Sequence, residues 1–153
     1  MKNIMTAGLA IAVLSALPIS ASSHDKHTHQ SYAVGEPGHS QNPARTIQVE
    51  MSEMAYAPSR IEVKRGEQIR FVIRNTGKEE HEFLLATTEE NLKHGEAMKE
   101  HPHMVHDDPN GVRLAPEKSA EILWKFTKGG TFEYSCLIPG HRDGGMIGQI
   151  VVK

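Results

Sequence analysis

From Thr46 onward the chain sets apolar and polar positions in short alternating runs. Residues 46–51 read TIQVEM, and residues 60–66 read RIEVKRG and end on a glycine. In QIRFVIRN, residues 68–75, Ile69, Phe71 and Ile73 fall on one face. SAEILWKF, residues 119–126, groups Ala120, Ile122, Trp124 and Phe126, and TFEYSC, residues 131–136, groups Phe132, Tyr134 and Cys136. A period of two marks a strand with one buried face. HEFLLAT, residues 81–87, is a shorter apolar run, and GQIVVK closes the chain. Asn75-Thr76-Gly77, Pro116-Glu117-Lys118 and Lys128-Gly129-Gly130 punctuate the runs as turns. Short strands with regular punctuation predict an all-β sandwich.

One segment departs from this period. Thr87 stands three residues before Glu90, the capping-box spacing, and helix-forming residues follow until Pro102. The pattern predicts a short helix over about residues 89–100, inserted between strands.

The chain opens MKNIMTAGLAIAVLSALPISASSH. Lys2, the apolar run Ile4 to Leu17 and the small residues that follow have the build of a secretory signal peptide, too short for a comfortable membrane span. Residues 1–21 are expected as the signal, with cleavage after Ala21 or after Ser23, and the protein as periplasmic. Residues 22–45, rich in Ser, Gly, Pro and His, are expected as a flexible His-rich arm. Residues 46–153 form the single folded domain.

Removing residues 1–21 leaves 132 residues with a formal charge of −3, histidines counted neutral. That balance offers no basic footprint for nucleic acid and no polybasic membrane patch. Nothing after the signal is apolar enough to insert in a membrane, and a monomer is expected. Histidine is the compositional outlier, with ten in the chain.

Cys136 is the only cysteine. In an exported protein an odd thiol points to an intermolecular bond, a reactive group or a metal ligand, and burial as a small apolar residue is the plain alternative. Its surroundings narrow the choice. In CLIPGHRDGGM, residues 136–146, Pro139, Gly140, Gly144 and Gly145 force a tight loop that would bring Cys136, His141 and Met146 to one point. Thiolate, imidazole and a weak thioether suit a mononuclear copper centre of the electron-transfer kind. His81, opening the HEFLL run, is the natural second imidazole. Zinc also takes Cys and His, yet favours more thiolates or all-strong donors and would leave Met146 idle. A thiol nucleophile with a histidine base leaves Met146 unexplained as well.

From about Thr46 to Lys153 the sequence resembles the cupredoxins, small β-sandwich copper proteins. AYAPSRIEVKRGEQIRFVIRNTG, HEF and the Cys-x4-His-x4-Met spacing carry the likeness. The resemblance implies a cupredoxin-like Greek-key β-sandwich with His81, Cys136 and His141 as equatorial ligands and Met146 as the axial one. Without a second cysteine in the loop, a binuclear copper centre is excluded. Glu82 follows His81 where electron carriers of the family often place Asn or Ser to support the thiolate.

The remaining His and Met exceed what one centre needs. His24, His27, His29 and His39 lie in the arm. A mature start of Ser22-Ser23-His24 would present an amine, two amides and an imidazole to Cu(II), and a start at His24 would present its amine and ring. HGEAMKEHPHMVH holds His94, Met98 and His101 at helical spacing, then His103, Met104 and His106. These residues are further candidates for copper, with packing of Met98 and Met104 onto the sandwich as the alternative. Met51 and Met54 are expected to pack. The His- and Met-laden insert resembles the CopI-type subgroup of periplasmic copper-tolerance cupredoxins, which implies protection from excess copper, Cu(I) or Cu(II), with a redox or copper-transfer protein as a possible partner. An electron carrier and a Cu(I) oxidase are the alternatives. A four-ligand centre with no open position argues against inner-sphere catalysis.

Overall fold

In the computed structural model the described residues are 32–39, 45–101 and 108–153. The expected signal peptide and His24, His27, His29, His103, Met104 and His106 lie outside them. In chain order the elements are β1 (Glu36–Pro37), β2 (Arg45–Ser52), β3 (Ala55–Ala57), β4 (Arg60–Val63), β5 (Gln68–Asn75), β6 (His81–Ala86), α1 (Thr88–Glu100), β7 (Gly111–Leu114), β8 (Ser119–Lys125), β9 (Gly130–Ser135) and β10 (Ile147–Val152).

The strands form two five-stranded sheets, ordered β1-β8-β5-β2-β3 and β4-β10-β9-β6-β7. β2 pairs parallel with β5 and β4 with β10, and the other neighbours are antiparallel. The chain changes sheet after β3, β4, β5, β7 and β8, which gives the crossing connections of a Greek-key sandwich. No helix among the described residues is long and apolar enough to cross a membrane.

The alternation seen in the sequence is what fills the interior. Val49, Met51, Ile69, Phe71, Ile73, Ile122 and Trp124 point inward from one sheet. Ile61, Val63, Phe83, Leu85, Phe132, Tyr134, Ile150 and Val152 meet them from the other. Phe83 is the centre of an aromatic cluster, with ring centroids 5.6 Å from Phe71, 6.3 Å from Tyr56 and 5.1 Å from Tyr134. The helix begins as its capping box requires: Glu90 N donates to Thr87 Oγ1 at 3.1 Å and Thr87 N to Glu90 Oε2 at 2.9 Å. Met98 turns the helix onto the sandwich and is fully buried.

Residues 32–39 differ from the flexible arm expected for 22–45. Val34 is buried, Tyr32 meets Trp124 edge-on at 5.2 Å, and β1 pairs with β8. Gly35, at φ +148°, passes so close to β8 that a Cβ would lie 2.1 Å from Lys125 O. Two apolar residues in a polar segment do not shift its composition, but Tyr32 packs on Trp124 and Val34 joins the buried core.

Phe83→Ala empties the meeting point of three rings. It is expected to lower the unfolding free energy of the metal-free protein by about 3–5 kcal/mol, read as a fall in the urea midpoint at unchanged slope.

Candidate metal centre

His81 is the first residue of β6, and Cys136 follows the last residue of β9. The register Leu84↔Ser135 between these strands brings that histidine and that cysteine to the same end of the sandwich. The loop from Cys136 to Met146 then folds on its own backbone. His141 N donates to Ile138 O at 3.0 Å, Gly144 N to Gly140 O at 2.9 Å and Gly145 N to Arg142 O at 3.0 Å. Met146 N donates to His141 O at 3.0 Å, and Cys136 N to Met146 O at 3.3 Å, so the loop is closed at its base.

This folding gathers the ligand atoms. His81 Nδ1 and His141 Nδ1 stand 3.3 Å apart, and Cys136 Sγ is 3.3 Å from His141 Nδ1. Among the described residues these three are the group of His, Cys, Asp or Glu whose ligand atoms all lie within 4.8 Å of one another. His81, Cys136 and Met146 are fully buried and His141 is 8 % exposed, so it alone reaches the surface. Two imidazole nitrogens and a sulfur turned toward one another in a buried site fit a borderline or soft metal ion. Met146 is fully buried and tied by backbone bonds to both Cys136 and His141.

Supports that the sequence did not announce hold these groups. Glu82 N donates to Cys136 Sγ at 3.3 Å, so a backbone amide faces the sulfur. The Glu82 carboxylate instead accepts from Leu137 N at 3.1 Å and lies 3.6 Å from Arg113 Nη1. Buried Asn75 stitches the loop before His81: Nδ2 donates to Glu79 O at 2.7 Å and to Leu114 O at 2.9 Å, and Oδ1 accepts from Gly77 N at 2.9 Å. The Glu53 carboxylate accepts from Lys78 N and from Glu79 N. A Cβ at Gly77 would lie 2.8 Å from Glu53 Oε1 and 3.0 Å from His81 Nε2, so a side chain here would press on the Glu53 carboxylate and the His81 ring.

On the other side, Arg142 Nη2 donates to Glu133 Oε1 at 3.1 Å and to Oε2 at 3.0 Å. Ser135 Oγ donates to Glu133 Oε2 at 3.4 Å, and Asn91 Nδ2 of the helix donates to Ser135 Oγ at 3.4 Å. A chain of polar side chains therefore runs from α1 to the residue after His141. Its only sequence signals were an asparagine at a helix position and an acid on β9 on the face opposite Phe132 and Tyr134.

Burial pushes the Cys136 thiol up to about 11, against the hydrogen bonds from Glu82 and Ile138 that lower it. His81 is shifted down, by burial first and by His141 second, so its ring is neutral at pH 7 and free to act as a ligand.

Three members of the second cluster, His94, Met98 and His101, are among the described residues. Met98 is fully buried, His94 is half-buried and His101 is exposed at the helix C-cap. His39 is exposed. Met51 is buried as expected, whereas Met54 is 38 % exposed on a left-handed turn at φ +57°.

Two outcomes follow for this site. Gly77→Ala displaces the His81 ring and is expected to weaken metal binding about 10-fold or more, measured by competition with a chromophoric chelator. The raised thiol favours the folded metal-free protein while it stays protonated. That contribution is present below about 8.5, the ordinary thiol value, and is lost as the pH rises toward about 11. Denaturation between pH 8 and 11 is expected to show a steeper loss of stability than in Cys136→Ser.

A family model described as a cupredoxin-like domain matches residues 9–152. The copper-resistant cuproprotein CopI of Rubrivivax gelatinosus is 46 % identical over 134 residues, 87 % of this chain and 79 % of that protein. Its counterpart in Pseudomonas aeruginosa is 37 % identical over 150 residues, 79 % of this chain and 83 % of that protein. Among solved structures, auracyanin B aligns with a TM-score of 0.65 at 21 % identity, covering 78 % of this chain and 96 % of that one. The reduced auracyanin of Roseiflexus castenholzii aligns at 0.62 and 22 % identity, covering 73 % and 99 %. Sandwich, sequence relatives and family model agree: the chain belongs to the cupredoxin-like family, as a cupredoxin of the CopI type.

Proposed function

We propose that this protein binds copper in a type 1 centre made by His81, Cys136, His141 and Met146, and that it serves copper tolerance in the periplasm. The observation that carries this reading is the buried convergence of two Nδ1 atoms and one Sγ within 4.8 Å of one another. Met146 is buried at the same end. Relatives named as copper-resistant cuproproteins support it, and the signal-like N-terminus supports export.

Bound copper would supply one-electron chemistry between Cu(I) and Cu(II). The chain's own part is to hold the ligands. The closed loop base fixes Cys136 against Met146, the Glu82 amide supports the sulfur, and burial keeps water from the thiolate. A site arranged before the ion arrives binds it without reorganising. Further copper would be taken by the surplus residues: His24, His27 and His29 of the arm, and His94, Met98, His101, His103, Met104 and His106 of the insert. Of these, Met98 is fully buried beneath the helix.

The electron-carrier reading draws on one observation, that His141 alone of the four reaches the surface. Carriers dock through an apolar patch around such a histidine. Here Leu137 is buried, Ile138 is half-buried, and the exposed large hydrophobic residues among those described are Met54 and Leu92. Tolerance is the better use of this surface, with outer-sphere oxidation of Cu(I) as its enzymatic variant.

A copper titration of the mature, tag-free protein tests the reading. An intense thiolate-to-Cu(II) charge-transfer band is expected, absent in Cys136→Ser, with uptake continuing past one equivalent. A band that saturates at one copper moves the function to electron transfer. No band in the wild-type protein refutes the centre.

A further inference from the structure

The two imidazoles of the centre each have a nitrogen on the far side of the ring, and their surroundings differ. His81 Nε2 is buried without a hydrogen-bond partner, on the side where Gly77 leaves space. His141 Nε2, at the surface edge, lies 3.5 Å from Glu79 Oε2. Glu79 is not there by the drift of a long side chain alone, because its backbone is clamped from both ends. Its N–H donates to Glu53 Oε1 at 3.3 Å, and its carbonyl accepts from Asn75 Nδ2 at 2.7 Å.

This arrangement bears on which form of His141 is present. His141 Nδ1 faces Cys136 Sγ and His81 Nδ1, each 3.3 Å away, and as a metal ligand it must be bare. The ring proton then belongs on Nε2, the nitrogen beside the carboxylate. A carboxylate at the outer nitrogen of a ligating histidine fixes its tautomer and makes the inner nitrogen a stronger donor. The negative charge also lies close to the metal position, and an anion stabilises the ion of higher charge.

We infer that Glu79 is a positioning residue for the copper centre: the contact of its carboxylate with His141 Nε2 holds the ring with Nδ1 toward the metal and favours Cu(II) over Cu(I). The inference rests on the type 1 reading of the centre. It names a role for a residue that touches no metal and comes from the loop before His81. The Glu79 side chain is 60 % exposed, so solvent screens its charge and the effect is graded. A centre held toward Cu(II) suits a protein that leaves copper in its less thiophilic state.

The test uses the full mature chain loaded with one equivalent of copper. Glu79→Gln removes the charge and keeps an acceptor, Glu79→Ala removes both, and Glu79→Asp keeps the charge on a shorter stem. Glu89→Gln, an exposed helix position away from the centre, is the control. Reduction potential and the separate affinities for Cu(I) and Cu(II) are measured for each. Glu79→Gln is expected to keep the charge-transfer band and to shift the Cu(I):Cu(II) balance toward Cu(I) by roughly 3- to 10-fold, up to about 59 mV for a one-electron couple. The shift should be largest for Glu79→Ala and smallest for Glu79→Asp, and it should appear as lost Cu(II) affinity. In the diamagnetic Cu(I) form, the His141 Nε2–H proton resonance should move and exchange faster in Glu79→Ala, while that of His81 stays in place. A wild-type band together with a Glu79→Ala potential equal to that of Glu89→Gln overturns the inference and leaves the copper reading standing. Absence of the band in the wild type overturns both.

Discussion

β6 and β9 lie side by side in one sheet, and their antiparallel register decides where a metal can be held. With Leu84 opposite Ser135, the histidine that opens one strand and the cysteine that follows the other arrive at the same end of the sandwich. A slip of one residue would turn every side chain of β6 to the other face and send Phe83 and Leu85 out of the core. The aromatic cluster around Phe83 therefore fixes the metal site along with the core. Packing energy spent on Phe71, Tyr56 and Tyr134 also fixes His81 against Cys136.

Around that pairing, polar groups do the fine placement. Asn75 uses both side-chain nitrogen and oxygen to shape the loop that delivers His81. Glu82 gives its amide to the sulfur and its carboxylate to the backbone of Leu137. Arg142 and Glu133 anchor the far side, and Ser135 and Asn91 extend that anchor to the helix. Buried polar groups of this kind are stable only when partnered, and here their partners are the backbone and side chains that position the ligands.

Much of this was legible in the chain itself. Period-two alternation located the long strands, and Thr87 with Glu90 located the helix start, because each is a local signal. The loop residues Cys136, His141 and Met146 were visible because glycines and a proline leave that stretch few ways to fold. What stayed hidden was non-local. β3 and β7 are too short to show a period, and Tyr32 and Val34 gain meaning only from Trp124, far along the chain. Asn75, Glu79, Glu133 and Arg142 read as ordinary surface residues until the fold sets their partners beside them. Glu82 showed the opposite limit: its side chain looked like a substitute for a thiolate support, while the supporting group is its backbone N–H, which any residue but proline would bring.

Cys136, His141 and Met146 lie on one stretch of eleven residues, while His81 stands on a strand in the sheet. The site thus joins a side chain set in the sheet to a cluster carried by one loop. That loop is held at its base by Cys136 N to Met146 O, and along its flanks by Arg142 to Glu133 and by Leu137 N to the Glu82 carboxylate. Cys136 and Met146 are at the same time fully buried members of the hydrophobic core, so the two ends of this loop are packed into the sandwich itself. Opening the stretch would expose core along with the sulfur and imidazole groups, which ties access to this end of the molecule to the stability of its interior.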